Sequence, residues 1–190
     1  MATLFNAISD HHREWIARQP MFFVATAPLA ADGHVNVSPK GPIGSFKVID
    51  EHTVAYLDVN GSGIETIGHL RENGRIVVMF CAFEGPPRIL RLHGRGEVVF
   101  AGDPRFADLA AGLENLSIDE ARRAVIRVDV QRIADSCGYG VPLMAFEGMR
   151  PHHAASSAKR VRVMGAEEYD AFQHERGAFT IDGLPAFAGD

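Results

Sequence analysis

Apolar and polar positions along this chain repeat with two different periods, and the changes of period mark its elements. Leu4, Ile8, Trp15 and Ile16 recur at helical spacing among polar neighbours, and Pro20 follows, so an amphipathic helix is expected over residues 4–18. Residues 21–27 are aromatic and β-branched, Asp32-Gly33 supplies a turn, and residues 34–38 alternate, which together predict a hairpin. Beyond the Pro- and Gly-rich stretch 39–44, short strands at 46–49 and 53–57 predict a second hairpin. Ile64, Ile67 and Leu70 return to helical spacing and end at Asn73-Gly74, a pair suited to a left-handed helix end.

The run Ile76-Val77-Val78-Met79-Phe80 predicts a strand covered on both faces. In residues 88–100, Leu90 and Leu92 share one face, and Arg91, His93 and Arg95 share the other. Gly94 and Gly96 there mark a bend or bulge. Asp103-Pro104 opens a helix carrying Phe106, Leu109 and Leu113, and Ser117-x-x-Glu120 reads as the capping box of another. Residues 124–133 alternate again as a last strand, and residues 167–176 are a further helical candidate before the Asp182-Gly183-Leu184-Pro185 turn. Six or seven strands joined mostly by hairpins predict a mainly β (α+β) fold, an antiparallel barrel with accessory helices. The barrel with its N-terminal helix is expected over residues 1–148. Residues 149–190 form a C-terminal extension packed on the barrel or on a partner chain.

Composition narrows the function. With 190 residues, 46% hydrophobic, the chain can bury a substantial core, and no run approaches the roughly 20 apolar residues of a membrane span. A soluble cytoplasmic protein without a membrane partner is expected. The net charge of −5 disfavours nucleic acid as a partner. Cys81 and Cys137 lack CxxC spacing and are expected to be reduced thiols, with Cys137 a poor nucleophile because no base stands beside it in sequence. His11 and His12 face different sides of a helix, and His152 and His153 lie in a basic stretch without evident structure. All four are expected to be solvated rather than metal ligands, and no metal site is expected. No HExxH, GxSxG, Walker or GxGxxG motif is present.

Two segments carry candidate chemistry. In Asn36-Val37-Ser38-Pro39-Lys40-Gly41, a lysine at a strand end can neutralise a phosphate, or the segment is simply a turn with a solvated lysine. In Asn60-Gly61-Ser62-Gly63-Ile64-Glu65-Thr66, a glycine turn opens a helix whose first N–H groups favour an anion. Ser62 can equally be an N-cap with Glu65 as its capping-box partner. The loop Asp135-Ser136-Cys137-Gly138-Tyr139-Gly140-Val141-Pro142 is either structural or a surface against a flat ligand. His93 or Arg95 is conceivable as a group that tunes a bound redox ring, and a solvated face is the plainer alternative.

The ordered set Phe23-Val24-Ala25-Thr26-Ala27, Asp32 through Gly41, Thr53-Val54-Ala55-Tyr56-Leu57 and His69-Leu70-Arg71-Glu72-Asn73-Gly74-Arg75-Ile76 resembles the pyridoxamine 5′-phosphate oxidase-related flavin-binding split barrels. That resemblance implies a six-stranded antiparallel Greek-key split barrel and a homodimer with FMN held non-covalently between subunits. It places Ser38, Pro39, Lys40 and Gly41 and the segment from Ser62 through Gly63 to Thr66 at flavin-contacting positions. Lys40, or Lys47 if the register shifts across the loop, would pair with the phosphate, and Ser62 and Thr66 would donate hydroxyl bonds. The classical oxidases carry a basic pair where this chain has Glu65-Thr66, and a carboxylate there repels a phosphate unless it turns to cap the helix. The implied activity is an FMN-dependent oxidoreductase acting on a small molecule, with the substrate, the electron donor and the choice between FMN and a deazaflavin left open. The alternatives are a non-catalytic flavin or haem binder and a cofactor-free dimerisation module.

Overall fold

The computed structural model describes residues 2–61, 63–114 and 117–187. Its strands are β1 (Thr3–Phe5), β2 (Phe22–Thr26), β3 (Asn36–Lys40), β4 (Phe46–Val48), β5 (Thr53–Val59), β6 (Arg75–Cys81), β7 (Ile89–Phe100) and β8 (Arg122–Ser136). They lie in one antiparallel sheet in the order β3-β2-β6-β7-β8-β5-β4, with β1 added against β8. The helices are α1 (Asp10–Ala17), α2 (Glu65–Asn73), α3 (Phe106–Ala110), α4 (His152–Met164) and α5 (Ala166–Arg176). From β5 the chain crosses through α2 to β6, then meanders through β7 to β8, which pairs back onto β5. This is a Greek key, so the expected split barrel is present, with the three-residue strands β1 and β4 supplementing six longer ones.

The inward row of the curled sheet is the core. Val24, Val54, Val78, Leu90, Leu92 and Ile126 are fully buried, and the rings of Phe22, Phe46, Tyr56 and Phe80 meet edge-on or tilted at 5.0–5.5 Å. The other face of β5 is also covered, because Ala55 and Leu57 pack under Ala110 of α3 and Leu113 just beyond it. β6 differs from expectation: its outward Val77 and Met79 are only half-buried, so the strand is not covered on both faces.

Local chemistry explains where the elements stop. Gly74 takes a left-handed φ of 68° at the end of α2. Asn73 Nδ2 donates to the Ala27 carbonyl (2.9 Å) and Arg75 Nη2 to that of Pro28 (2.9 Å), so the Leu-x-x-Asn-x-Arg stretch ties α2 to the β2–β3 turn. In β7 the register with β8 shifts between His93 and Gly94. A Cβ at Gly94 would stand 2.1 Å from the Asp129 carbonyl oxygen, so only glycine allows the two strands to cross there.

Several local expectations are corrected. The N-terminal helix starts at Asp10, capped by Ser9, because residues 3–5 pair with β8 instead. His12 is buried and reciprocates the Ser9 cap, with its ring edge-on to Phe5, so it is not a solvated histidine. The helix after Asp103-Pro104 is the five-residue α3, which ends before Leu113; Asp103 Oδ1 accepts from the Arg105 N–H instead of capping it. The Ser117-x-x-Glu120 stretch yields only a 3₁₀ turn at Asp119–Ala121 without a side-chain cap. The basic stretch around His152 and His153 is helical, as α4.

Replacing Gly94 with Ala is predicted to destabilise the protein by about 2–3 kcal/mol, read as a lower urea midpoint, because the clash is with backbone. Gly102→Ala, which meets nothing within 4 Å, should stay within about 0.5 kcal/mol of the parent.

Candidate functional site

A strand at the edge of a sheet leaves its terminal side chains free to reach another element, and Lys40 at the end of β3 does so. Its Nζ donates to Asp58 Oδ1 on β5 at 2.7 Å. The other carboxylate oxygen of Asp58 accepts from Arg123 Nε of β8 at 2.8 Å, with Arg123 Nη2 at 2.7 Å. Arg123 also donates from both terminal nitrogens to the Gly63 carbonyl (3.3 Å each), which anchors the loop before α2. Burial alone would push the Asp58 carboxyl up, but Arg123 and Lys40 outweigh it and hold the group at about 2. The triad carries one net positive charge, and its partly accessible member is Lys40, since Asp58 and Arg123 are buried.

Lys40 opens onto a cleft of about 1260 Å³. Its walls come from the end of α1 (Trp15, Arg18), β3 (Pro39), the β3–β4 loop (Gly41, Ile43), β5 (Leu57, Val59), the β6–β7 loop (Phe83, Glu84) and the segment between β8 and α4 (Met144 to Arg150). His153 of α4 closes one side, with Nδ1 at 2.9 Å from the Ser117 hydroxyl and Nε2 bonded to the Asn60 carbonyl. It was expected to be solvated, but pins the C-terminal extension to the barrel instead. The rest of the extension grips the β2–β3 turn. Asp182 accepts from the His34 N–H (2.7 Å) and pairs with His34 Nδ1 (2.6 Å), and Arg71 donates to the Ala186 carbonyl (2.5 Å). The hydrogen bond that His34 donates to Asp182 raises the His34 pKa and lowers that of Asp182.

The expected site residues do not all converge. Pro39, Lys40 and Gly41 line the cleft. Ser38 turns into the barrel and donates to Asn36 Oδ1 at 2.9 Å; Asn36 in turn donates to the Thr66 hydroxyl (3.0 Å) and the Thr26 hydroxyl (3.2 Å). Thr66 is buried, so its hydroxyl serves this network. Lys47 is away from the cleft, its Nζ donating to the Ala111 carbonyl (2.9 Å). Ser62 lies outside the described residues. Gly63 borders a separate recess of about 410 Å³ with His34, Asn36 and Glu65. Ile64 is the N-cap of α2, and Glu65 Oε2 accepts from the Ile64 N–H at 3.1 Å, so the first turn carries the chain's own carboxylate. Among the described residues no cluster of metal-ligating side chains occurs, and no helix is long and apolar enough to cross a membrane.

The sequence profile described as pyridoxamine 5′-phosphate oxidase matches residues 8–137. The chain belongs to the pyridoxamine 5′-phosphate oxidase family. It is 41% identical over 195 residues to the pyridoxamine 5′-phosphate oxidase family protein UstO of Aspergillus flavus, spanning 97% of this chain and 78% of that protein. Among solved structures, Group A Streptococcus HupZ is 27% identical, with a TM-score of 0.51 over 66% of this chain and 91% of HupZ. An FMN-binding protein from Syntrophomonas wolfei, 16% identical with a TM-score of 0.50, covers 65% of this chain and 82% of its own and shares the fold. The family match ends at Cys137, so residues 144–150 and His153 of α4, which form one wall of the cleft, lie beyond the matched region, as does α5.

Asp58→Asn is predicted to cost about 3–5 kcal/mol in urea unfolding, because Lys40 and Arg123 then share no charge partner. The carboxyl ionises more readily folded than unfolded. Its contribution is therefore complete above the ordinary value of 3.8 and is lost as pH falls toward about 2. Unfolding midpoints measured across that window should drop more steeply for the parent than for Asp58→Asn.

Proposed function

We propose that this protein is an FMN-dependent oxidoreductase acting on a small molecule, and that it works as a homodimer. The observation that carries the reading is the single net positive charge presented by Lys40 on the floor of a large cleft with apolar walls. Such a cleft fits a planar ring system with an anionic tail. Lys40 would hold the phosphate, and the flat apolar surfaces of Trp15, Leu57 and Phe83 would orient the ring. Bound FMN supplies the hydride- and electron-accepting chemistry. The start of α2 is not where the phosphate belongs, since Glu65 already occupies it and an added anion would be repelled. The FMN-binding protein from Syntrophomonas wolfei supports a flavin on this fold.

The dimer reading follows from the outer sheet face. Pro39 and Val37 of β3 pair across β2 with Phe23 and Ala25, and these with Met79 and Val77 of β6, giving one continuous apolar patch. Val37 is 62% exposed there. Pro39 belongs both to this patch and to the cleft, so a second copy seated on the patch would border the bound cofactor.

Two measurements test the reading. Titration with FMN should give saturable quenching of flavin fluorescence, weakened by at least about tenfold in Lys40→Ala. Light scattering should report a dimer that Val37→Asp converts to a monomer. Protein that ignores added FMN, or that purifies with a haem band instead, would overturn the flavin assignment; a monomeric parent would overturn the dimer.

A further inference from the structure

Beyond the family-matched region, the chain lays an apolar strap along the open side of the cleft. Met144, Phe146 and Met149 line the cleft while remaining 56%, 50% and 41% exposed. The strap is fixed at both ends. The Met144 N–H donates to the Phe83 carbonyl at 3.0 Å, and His153 anchors the helix that follows. Met149 reaches across to the β3–β4 loop, its Cε 3.6 Å from where a Cβ on Gly41 would stand.

Three polar side chains of the cleft are already bonded within the chain. Lys40 is held by Asp58, the Ser45 hydroxyl donates to the Pro42 carbonyl (2.6 Å), and Gln19 Nε2 donates to the Trp15 carbonyl (2.9 Å). The strap end therefore offers thioether, methyl and ring surface, which adapts to flat apolar shapes. Apart from Lys40, the charged residues lining the cleft are Glu84, Glu114 and Glu147 against Arg18 and Arg150, a balance that disfavours a second anion. The cleft also exceeds the roughly 300–1,000 Å³ that encloses one drug-sized molecule, which leaves room beside a cofactor.

We propose that the strap end, formed by Phe83, Met144, Phe146 and Met149, is the subsite for the second substrate, and that this substrate is an uncharged, flat, apolar molecule rather than a phosphorylated one. The proposal rests on the flavin reading for the identity of the other occupant. Three of its four residues, Met144, Phe146 and Met149, lie beyond the family-matched residues 8–137.

The test uses the full chain loaded with FMN and two fluorescent probes, uncharged N-phenyl-naphthylamine and anionic anilinonaphthalene sulfonate. The uncharged probe should bind saturably at one site per chain and at least about tenfold more tightly than the sulfonate. Phe146→Ala combined with Met149→Ala should weaken the uncharged probe by about tenfold while FMN affinity moves less than about twofold. Both side chains are half-exposed, so the variant should fold. Absent or non-saturable binding, unchanged affinity in the double variant, or tighter binding of the sulfonate would overturn the subsite. Should FMN fail to load while the uncharged probe still binds and responds to the double variant, the flavin reading falls and the apolar subsite stands.

Discussion

Everything at the cleft depends on one buried carboxylate. Asp58 stands on β5, near one end of the open sheet, and draws in Lys40 from β3 at the other end and Arg123 from the neighbouring β8. The split in the barrel is thus bridged by an ionic contact where backbone pairing is absent. A buried ion pair is a poor source of net stability, because desolvation cancels much of the attraction, but it strongly penalises arrangements that leave a member unpaired. The triad therefore acts chiefly to hold β3 in place. It also sets the electrostatics, since two cations share one anion and the remaining charge is displayed on Lys40.

A second polar network stands on the same edge strand. Ser38, Asn36, Thr66, Thr26 and His69 form a chain of hydrogen bonds from β3 into the first turns of α2, with Thr26 Oγ1 at 3.0 Å from His69 Nδ1. Burial lowers the His69 pKa. The two networks divide β3 between structure and display. Ser38 and Asn36 tie the strand to α2, whereas Lys40 and Pro39 face the cleft.

Most of the fold was legible because it is written in local chemistry. The Asn73-Gly74 helix end and the alternation in β8 depend on neighbours within a few residues, and the bulge in β7 is marked by Gly94 itself, although the strand that requires it is distant in sequence. The site was legible only in part. Lys40 was recognisable as a lysine at a strand end, but its partner Asp58 lies 18 residues on, just past the strand expected over residues 53–57, and Arg123 is a further 65 residues away. Glu65 does not form the capping box expected with Ser62, since Ile64 is the N-cap and no side chain caps it; the carboxylate accepts from the Ile64 N–H instead. Thr66 and Lys47 carried the right functional groups, yet their environments depend on how β3 and α3 pack against them. His153 was missed because α4 lacks an N-terminal cap and a clear apolar stripe; its role comes from docking onto Asn60 and Ser117.

The measurement that bears most directly on the central claim compares FMN with riboflavin, which has the same ring and no phosphate. If the charge left over by the Asp58 triad recruits the cofactor, FMN should bind the parent at least about tenfold more tightly than riboflavin, and Lys40→Met should erase that preference while leaving riboflavin affinity nearly unchanged. Equal affinity for the two flavins in the parent, or a preference for FMN that survives Lys40→Met, would contradict it.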